Sequence, residues 1–181
     1  MLKIITMKNF NNLDFINTPK TIAFHNAIKQ NGIKVATGVP CGVIRHIINN
    51  IANDPKIRHI PATNEAESIG IAAGAVLANQ KTMLYMQNSG LFAASNNIAS
   101  LLIPYEIPVY MVVSYRGCEG ENAPQHFITG SATEKLIQSF GLDYAVYHGE
   151  SMEKFVDNGF KRIAKTNLPF VALLKRGWQH E

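Results

Sequence analysis

Only two cysteines, Cys41 and Cys118, occur in the chain. They are too few for a disulfide framework or a zinc site, and a reduced state is expected. His25, His46, His59 and His148 are scattered without metal-ligand spacing. There is no G-x-G-x-x-G, no Walker A sequence and no G-x-S-x-G. The chain therefore lacks a phosphate cradle of its own and a hydrolase nucleophile elbow. No basic stripe with interleaved aromatics argues for nucleic acid. Apolar stretches are broken well before membrane-spanning length. The opening Met1-Leu2-Lys3-Ile4-Ile5 has no signal-peptide core, so a cytoplasmic location is expected. Internal repeats and low-complexity linkers are also missing.

What is present is a globular composition, with 46% hydrophobic and 17% charged residues and a net charge of +4 over 181 residues. Residues 1–16 are Asn-rich and read as a tail, and 17–178 as one domain. Thr18-Pro19 reads as N-cap and first helical residue of a helix closed by Gly32. Strands are expected at 34–37, 57–61, 82–86, 108–114, 143–147 and 170–174. Helices are expected near 43–52, 65–78, 90–102, 131–140 and 151–165. Such alternation predicts a doubly wound, mostly parallel six-stranded α/β sheet with helices on both faces. Ligands of such sheets bind beyond the carboxyl ends of the strands. The loops there are 38–42, 61–64, 87–90 and the long, Gly-rich 115–130.

Thr63-Asn64-Glu65-Ala66-Glu67 opens a helix that continues almost entirely in small residues to Ala75. Asn64 is a good N-cap, and Glu67 three residues later completes a capping box. Glu65 has no such local task beyond the helix dipole. Beside a surface of glycine and alanine it is placed as proton-exchanging carboxyl groups are. Gln87-Asn88-Ser89-Gly90 follows an apolar strand. Ser89 alone would cap the next helix, which leaves the two amides of Gln87 and Asn88 for a ligand. In the long loop, Arg116 has the fork that suits an oxyanion, and His126 can act as acid, base or anion contact. Cys41 reads as a small buried thiol.

These pieces together resemble the pyrimidine-binding (PYR) domain of thiamine-diphosphate enzymes, in the branch of phosphonopyruvate and sulfopyruvate decarboxylases. The matching segments are Gly38-Val39-Pro40-Cys41, Thr63-Asn64-Glu65-Ala66-Glu67 with Ala72-Ala73-Gly74, Met86-Gln87-Asn88-Ser89-Gly90-Leu91, Ile107-Pro108, Arg116-Gly117, and Pro124-Gln125-His126 with Gly130. The resemblance implies that Glu65 hydrogen-bonds the aminopyrimidine ring. It implies that Val39, Pro40, Asn88, Ser89 and Gly90 line the cofactor. Gln125 and His126 would face the reacting carbon, and Gln87, Asn88 and Arg116 would contact substrate. The family usually continues with Gly-Asn after Gly-Leu, whereas Phe92-Ala93 stands here. The Gly-Asp-Gly sequence by which such enzymes hold Mg²⁺ and the diphosphate is missing. The resemblance therefore implies an α subunit completed by a β subunit carrying diphosphate and Mg²⁺, with no metal on this chain. The implied reaction is decarboxylation of an anionic 2-oxo acid, 3-phosphonopyruvate first and 3-sulfopyruvate as the alternative. A non-catalytic PYR-like binding module is the remaining reading.

Overall fold

The structure is a computed structural model that describes residues 18–118, 120, 121 and 123–180. The expected 1–16 tail lies outside them. The strands are β1 (Val35–Gly38), β2 (Arg58–Pro61), β3 (Thr82–Gln87), β4 (Tyr110–Tyr115), β5 (Asp143–Val146) and β6 (Phe170–Lys175). They form one sheet in the order β2-β1-β3-β4-β6-β5. Every pairing is parallel. The helices are α1 (Pro19–Gln30), α2 (Arg45–Ala52), α3 (Glu65–Leu77), α4 (Asn88–Ala93), α5 (Ser95–Asn97), α6 (Phe127–Ser139) and α7 (Met152–Thr166).

Pleat alternation divides the core in two. Met83 and Tyr85 of β3 pack on one side with Phe24 of α1, Ile47 of α2 and Phe155 of α7. Leu84 and Met86 pack on the other with Ile69 of α3, Leu91 of α4 and Ile137 of α6. Both faces are thus covered, which explains why β3 and β4 read as unbroken apolar runs. The winding begins at β1, adds β2 on one side and then β3 on the other. The topological switch point lies between β1 and β3, where the connections to α2 and α4 diverge and a ligand crevice is expected.

Local capping signals hold where the chain can satisfy them nearby. The Thr18 hydroxyl accepts a hydrogen bond from Thr21 N at 3.3 Å. Ser151 starts α7 by accepting from Lys154 N at 3.4 Å. Three expected elements differ. The helix expected at 90–102 starts at Asn88 and breaks into α4, α5 and a π turn over Ile98–Leu102. The one at 43–52 opens as a 3₁₀ turn over Gly42–Ile44 before α2. The helix expected from 131 starts at Phe127, after a 3₁₀ turn over Pro124–His126. Gly130 lies inside it because the helix packs directly on the Gly117 backbone, where a Cβ would collide. Close backbone approach, not helix termination, is the reason for that glycine.

Among the described residues no helix is long and apolar enough to cross a membrane.

Candidate active site

Three connections leave the carboxyl ends of β1, β2 and β3 and bring their polar residues together. Asn64 caps α3 as expected, its side-chain oxygen accepting from Glu67 N at 2.9 Å. The Glu67 carboxylate reaches one residue further back than a standard capping box. It accepts from Thr63 N at 2.7 Å and from the Thr63 hydroxyl at 2.5 Å. These bonds hold its pKa below the usual carboxylate value. Glu67 is therefore committed to the helix start.

Glu65, half-buried two residues earlier, is directed differently. Its side chain lies across Gly90 of α4. A Cβ added at Gly90 would stand 2.5 Å from Glu65 Cγ and 2.8 Å from its Oε1. The glycine thus supplies the space the carboxyl group occupies. Glu65 starts the helix after β2, and Gly90 sits on the helix after β3. The two segments meet across the end of β1, over the switch point.

Gln87 donates from Nε2 to the Ser89 hydroxyl at 2.7 Å. Ser89 does not cap α4; Gln87 occupies the cap position, with no side-chain cap bond. The structure adds two residues to this group. Cys41 is half-buried rather than enclosed: its thiol faces Gln87 Oε1 at 3.8 Å and accepts from the buried Ser114 hydroxyl at 3.0 Å. Val39 and Pro40 lead into it from β1, Val39 N donating to Tyr85 O at 3.2 Å.

Asn88 is turned inward and fully buried. Its amide donates to Arg116 O at 2.8 Å and to Thr133 Oγ1 at 2.9 Å, and accepts from Arg116 N at 3.3 Å. Its side chain is spent on holding the β4 loop and α6 against α4. The amide expected to be offered to cofactor and substrate is thus bonded at both ends within the chain. No local signal reveals this, because both partners are distant in sequence. Arg116 is likewise committed. Its Nε donates to Glu121 Oε2 at 2.5 Å, and that hydrogen bond raises its pKa further. Gln125 is exposed and His126 half-buried on the 3₁₀ turn. The His126 carbonyl packs on Gly117, so both follow the Arg116-Gly117 segment that Asn88 anchors. Phe92 is half-buried on α4. Among the described residues no cluster of three or more His, Cys, Asp or Glu is arranged for a metal ion.

An alanine at Gly90 tests the arrangement. Helix propensity favours alanine, and Glu65 is a flexible side chain, so fold stability should hold within about 1 kcal/mol. The displaced carboxyl group should lower turnover by about 10- to 100-fold, the usual cost of a misplacement near 1 Å. Thermal unfolding and steady-state rates check the two halves.

A family profile described as "Thiamine pyrophosphate enzyme, N-terminal TPP binding domain" matches residues 22–135. Sulfopyruvate decarboxylase subunit alpha of Methanococcus maripaludis is 38% identical over 122 residues, 67% of this chain and 73% of that protein. The subunit of the same description from Methanothermobacter thermautotrophicus is 41% identical over 122 residues, covering 67% and 74%. Phosphonopyruvate decarboxylase of Streptomyces viridochromogenes is 32% identical over 149 residues, which are 81% of this chain and 38% of that longer protein. The residues gathered around Glu65 and Gly90 fall inside the matched region, and with these likenesses the chain belongs to the sulfopyruvate/phosphonopyruvate decarboxylase family of thiamine-diphosphate enzymes.

Proposed function

We propose that the chain is the α subunit of a decarboxylase acting on a 2-oxo acid with an anionic tail, 3-sulfopyruvate in first place. The observation that carries this is the Glu65 carboxyl group lying over Gly90 at the switch point. It fits the aminopyrimidine half of thiamine diphosphate: a carboxyl group facing a surface free of side chains leaves room for a flat ring and offers it a proton. Glu65 would hold a ring nitrogen and share that proton. Val39, Pro40, Ser89 and Gly90 would line the ring. Bound thiamine diphosphate supplies the electron sink that lets CO₂ leave a 2-oxo acid. Gln87, braced by Ser89 and Cys41, and the Gln125-His126 turn would orient the acid and exclude water.

The partner follows from what is uncovered. Gly70 and Gly74 of α3 are exposed with open space around their Cα positions, and Leu77 beside them is 71% exposed. A stripe of this kind favours close approach of another chain, here a β subunit holding the diphosphate and Mg²⁺. Similarity to separate α subunits over most of their length supports sulfopyruvate. Phosphonopyruvate is the second reading, favoured by Pro124-Gln125-His126. A cytoplasmic enzyme is the matching location.

The test is co-expression with a partner chain carrying Gly-Asp-Gly, in the presence of thiamine diphosphate and Mg²⁺. Sulfoacetaldehyde should form with the higher kcat/KM, ahead of phosphonoacetaldehyde. Absence of aldehyde from sulfopyruvate, phosphonopyruvate and pyruvate alike would sink the enzyme reading.

A further inference from the structure

A cavity of about 440 Å³ opens beyond the turn after β1, and its walls are cationic. Gly42, Arg45, Arg116, Arg176, Gln179 and His180 line it, and no described lining residue is acidic. Its place in the fold is fixed. Trp178, fully buried, donates from its indole N–H to Val43 O at 3.2 Å. That bond clamps the segment after β6 onto the turn after β1. Gly42 directly follows Cys41, which touches Gln87 and Ser114. Arg116 is tied through its backbone to Asn88. A smaller pocket that Cys41 lines shares Gly42 and Arg45 with the cavity, so the two adjoin on the side of Gln87.

The cations are not equivalent. Arg116 is neutralised by Glu121. Among the described residues Arg45 donates only to Gly42 O, at 3.3 Å, and it is exposed. Arg176 is exposed and joins no ion pair among the described residues. Burial first, and then the charge of Arg45 and His180, holds the His46 pKa below the ordinary imidazole value. Like charges around one concavity repel unless an anion joins them. Free guanidinium forks match the oxygens of a tetrahedral sulfonate or phosphonate.

We infer that Arg45 and Arg176 form the subsite for the anionic tail of the substrate, with Arg116 acting as part of its wall rather than as the tail ligand. This rests on the decarboxylase reading above. It makes the cavity the origin of preference for tailed over tail-less 2-oxo acids.

Arg45→Gln, Arg176→Gln and the double variant, each in the assembled enzyme, test it. Each single change should raise KM for 3-sulfopyruvate about tenfold or more, as loss of a charge-assisted hydrogen bond does, and the double change about a hundredfold or more. The kcat should stay within about threefold, since the tail does not change in the reaction. Preference over pyruvate should fall by the same factor as KM rises. Arg→Lys at either site should restore only part, because an ammonium keeps the charge and loses the fork. An unchanged KM in an active assembly overturns the assignment. So does loss of the β subunit on gel filtration, or a raised thiamine diphosphate requirement with KM unaltered. If the wild-type assembly decarboxylates none of the acids, the decarboxylase reading has failed and sulfoacetate binding to the full chain decides. Saturable binding abolished in the double variant keeps the anion subsite, and no binding removes it.

Discussion

Glutamine at position 65 should lower turnover by about 10²- to 10⁴-fold, the range assigned to one positioned general acid–base group. The substitution keeps the shape that fits over Gly90 and removes only the exchangeable carboxyl proton. Folding and assembly should survive, because the helix start is secured by Asn64, Glu67 and Thr63 rather than by Glu65. Glu67→Gln is the matched control. It should lower the melting temperature slightly through the α3 terminus and leave kcat nearly unchanged. Steady-state kinetics with circular dichroism melting separates the two. If Glu67→Gln abolishes turnover and Glu65→Gln does not, the assignment of roles is reversed.

The second large effect belongs to Gly38, the last residue of β1. A Cβ there would overlap the carbonyl oxygen of Tyr85 in the neighbouring strand. That atom is main chain, and it also accepts the hydrogen bond from Val39 N. Neither it nor the strand carrying it can move without opening β1 from β3. The Gly38 φ of +151° adds a conformation that side-chain-bearing residues rarely adopt. Gly38→Ala should therefore cost at least about 3 kcal/mol, beyond ordinary overpacking. For a chain of this size that is a fall of about 6–12 °C in melting temperature. The contrast with Gly90 is informative. There the added methyl meets a flexible side chain and disturbs chemistry; at Gly38 it meets backbone and disturbs the sheet. A Gly38→Ala protein melting within a degree or two of the parent would refute this.

How far the residues disclosed the site depends on the range of each interaction. The α3 cap was legible because Asn64 and Glu67 are partners three residues apart. The parallel sheet was legible because β3 and β4 carry apolar residues on both faces. The inward bonds of Asn88 were not legible, since its polar type suits a ligand and its partners Arg116 and Thr133 lie 28 and 45 residues away. The Arg116–Glu121 pair is local, but it follows no helix or strand spacing that would mark it in the sequence. The cationic cavity was invisible because Trp178 joins two segments 135 residues apart. Cys41 was half legible: it is small and packed against the core, yet its thiol also faces Gln87. Tertiary contact decided the cases of Asn88, Cys41 and the cavity, and pattern within a short window carries no record of it.

The strand order has a bearing on how the molecule is made. β6, the last of the described strands, lies between β4 and β5. Until residues 170–175 arrive, β4 and β5 each present an open edge, and among the described residues β5 has no other neighbour in the sheet. A chain emerging from the ribosome therefore cannot close its sheet gradually. The final strand must insert between two waiting ones, and the segment beyond it seats Trp178 under the turn after β1. Completion of the fold and completion of the cationic cavity are the same late event, so a chain stopped short of β6 would lose both together and expose sticky strand edges.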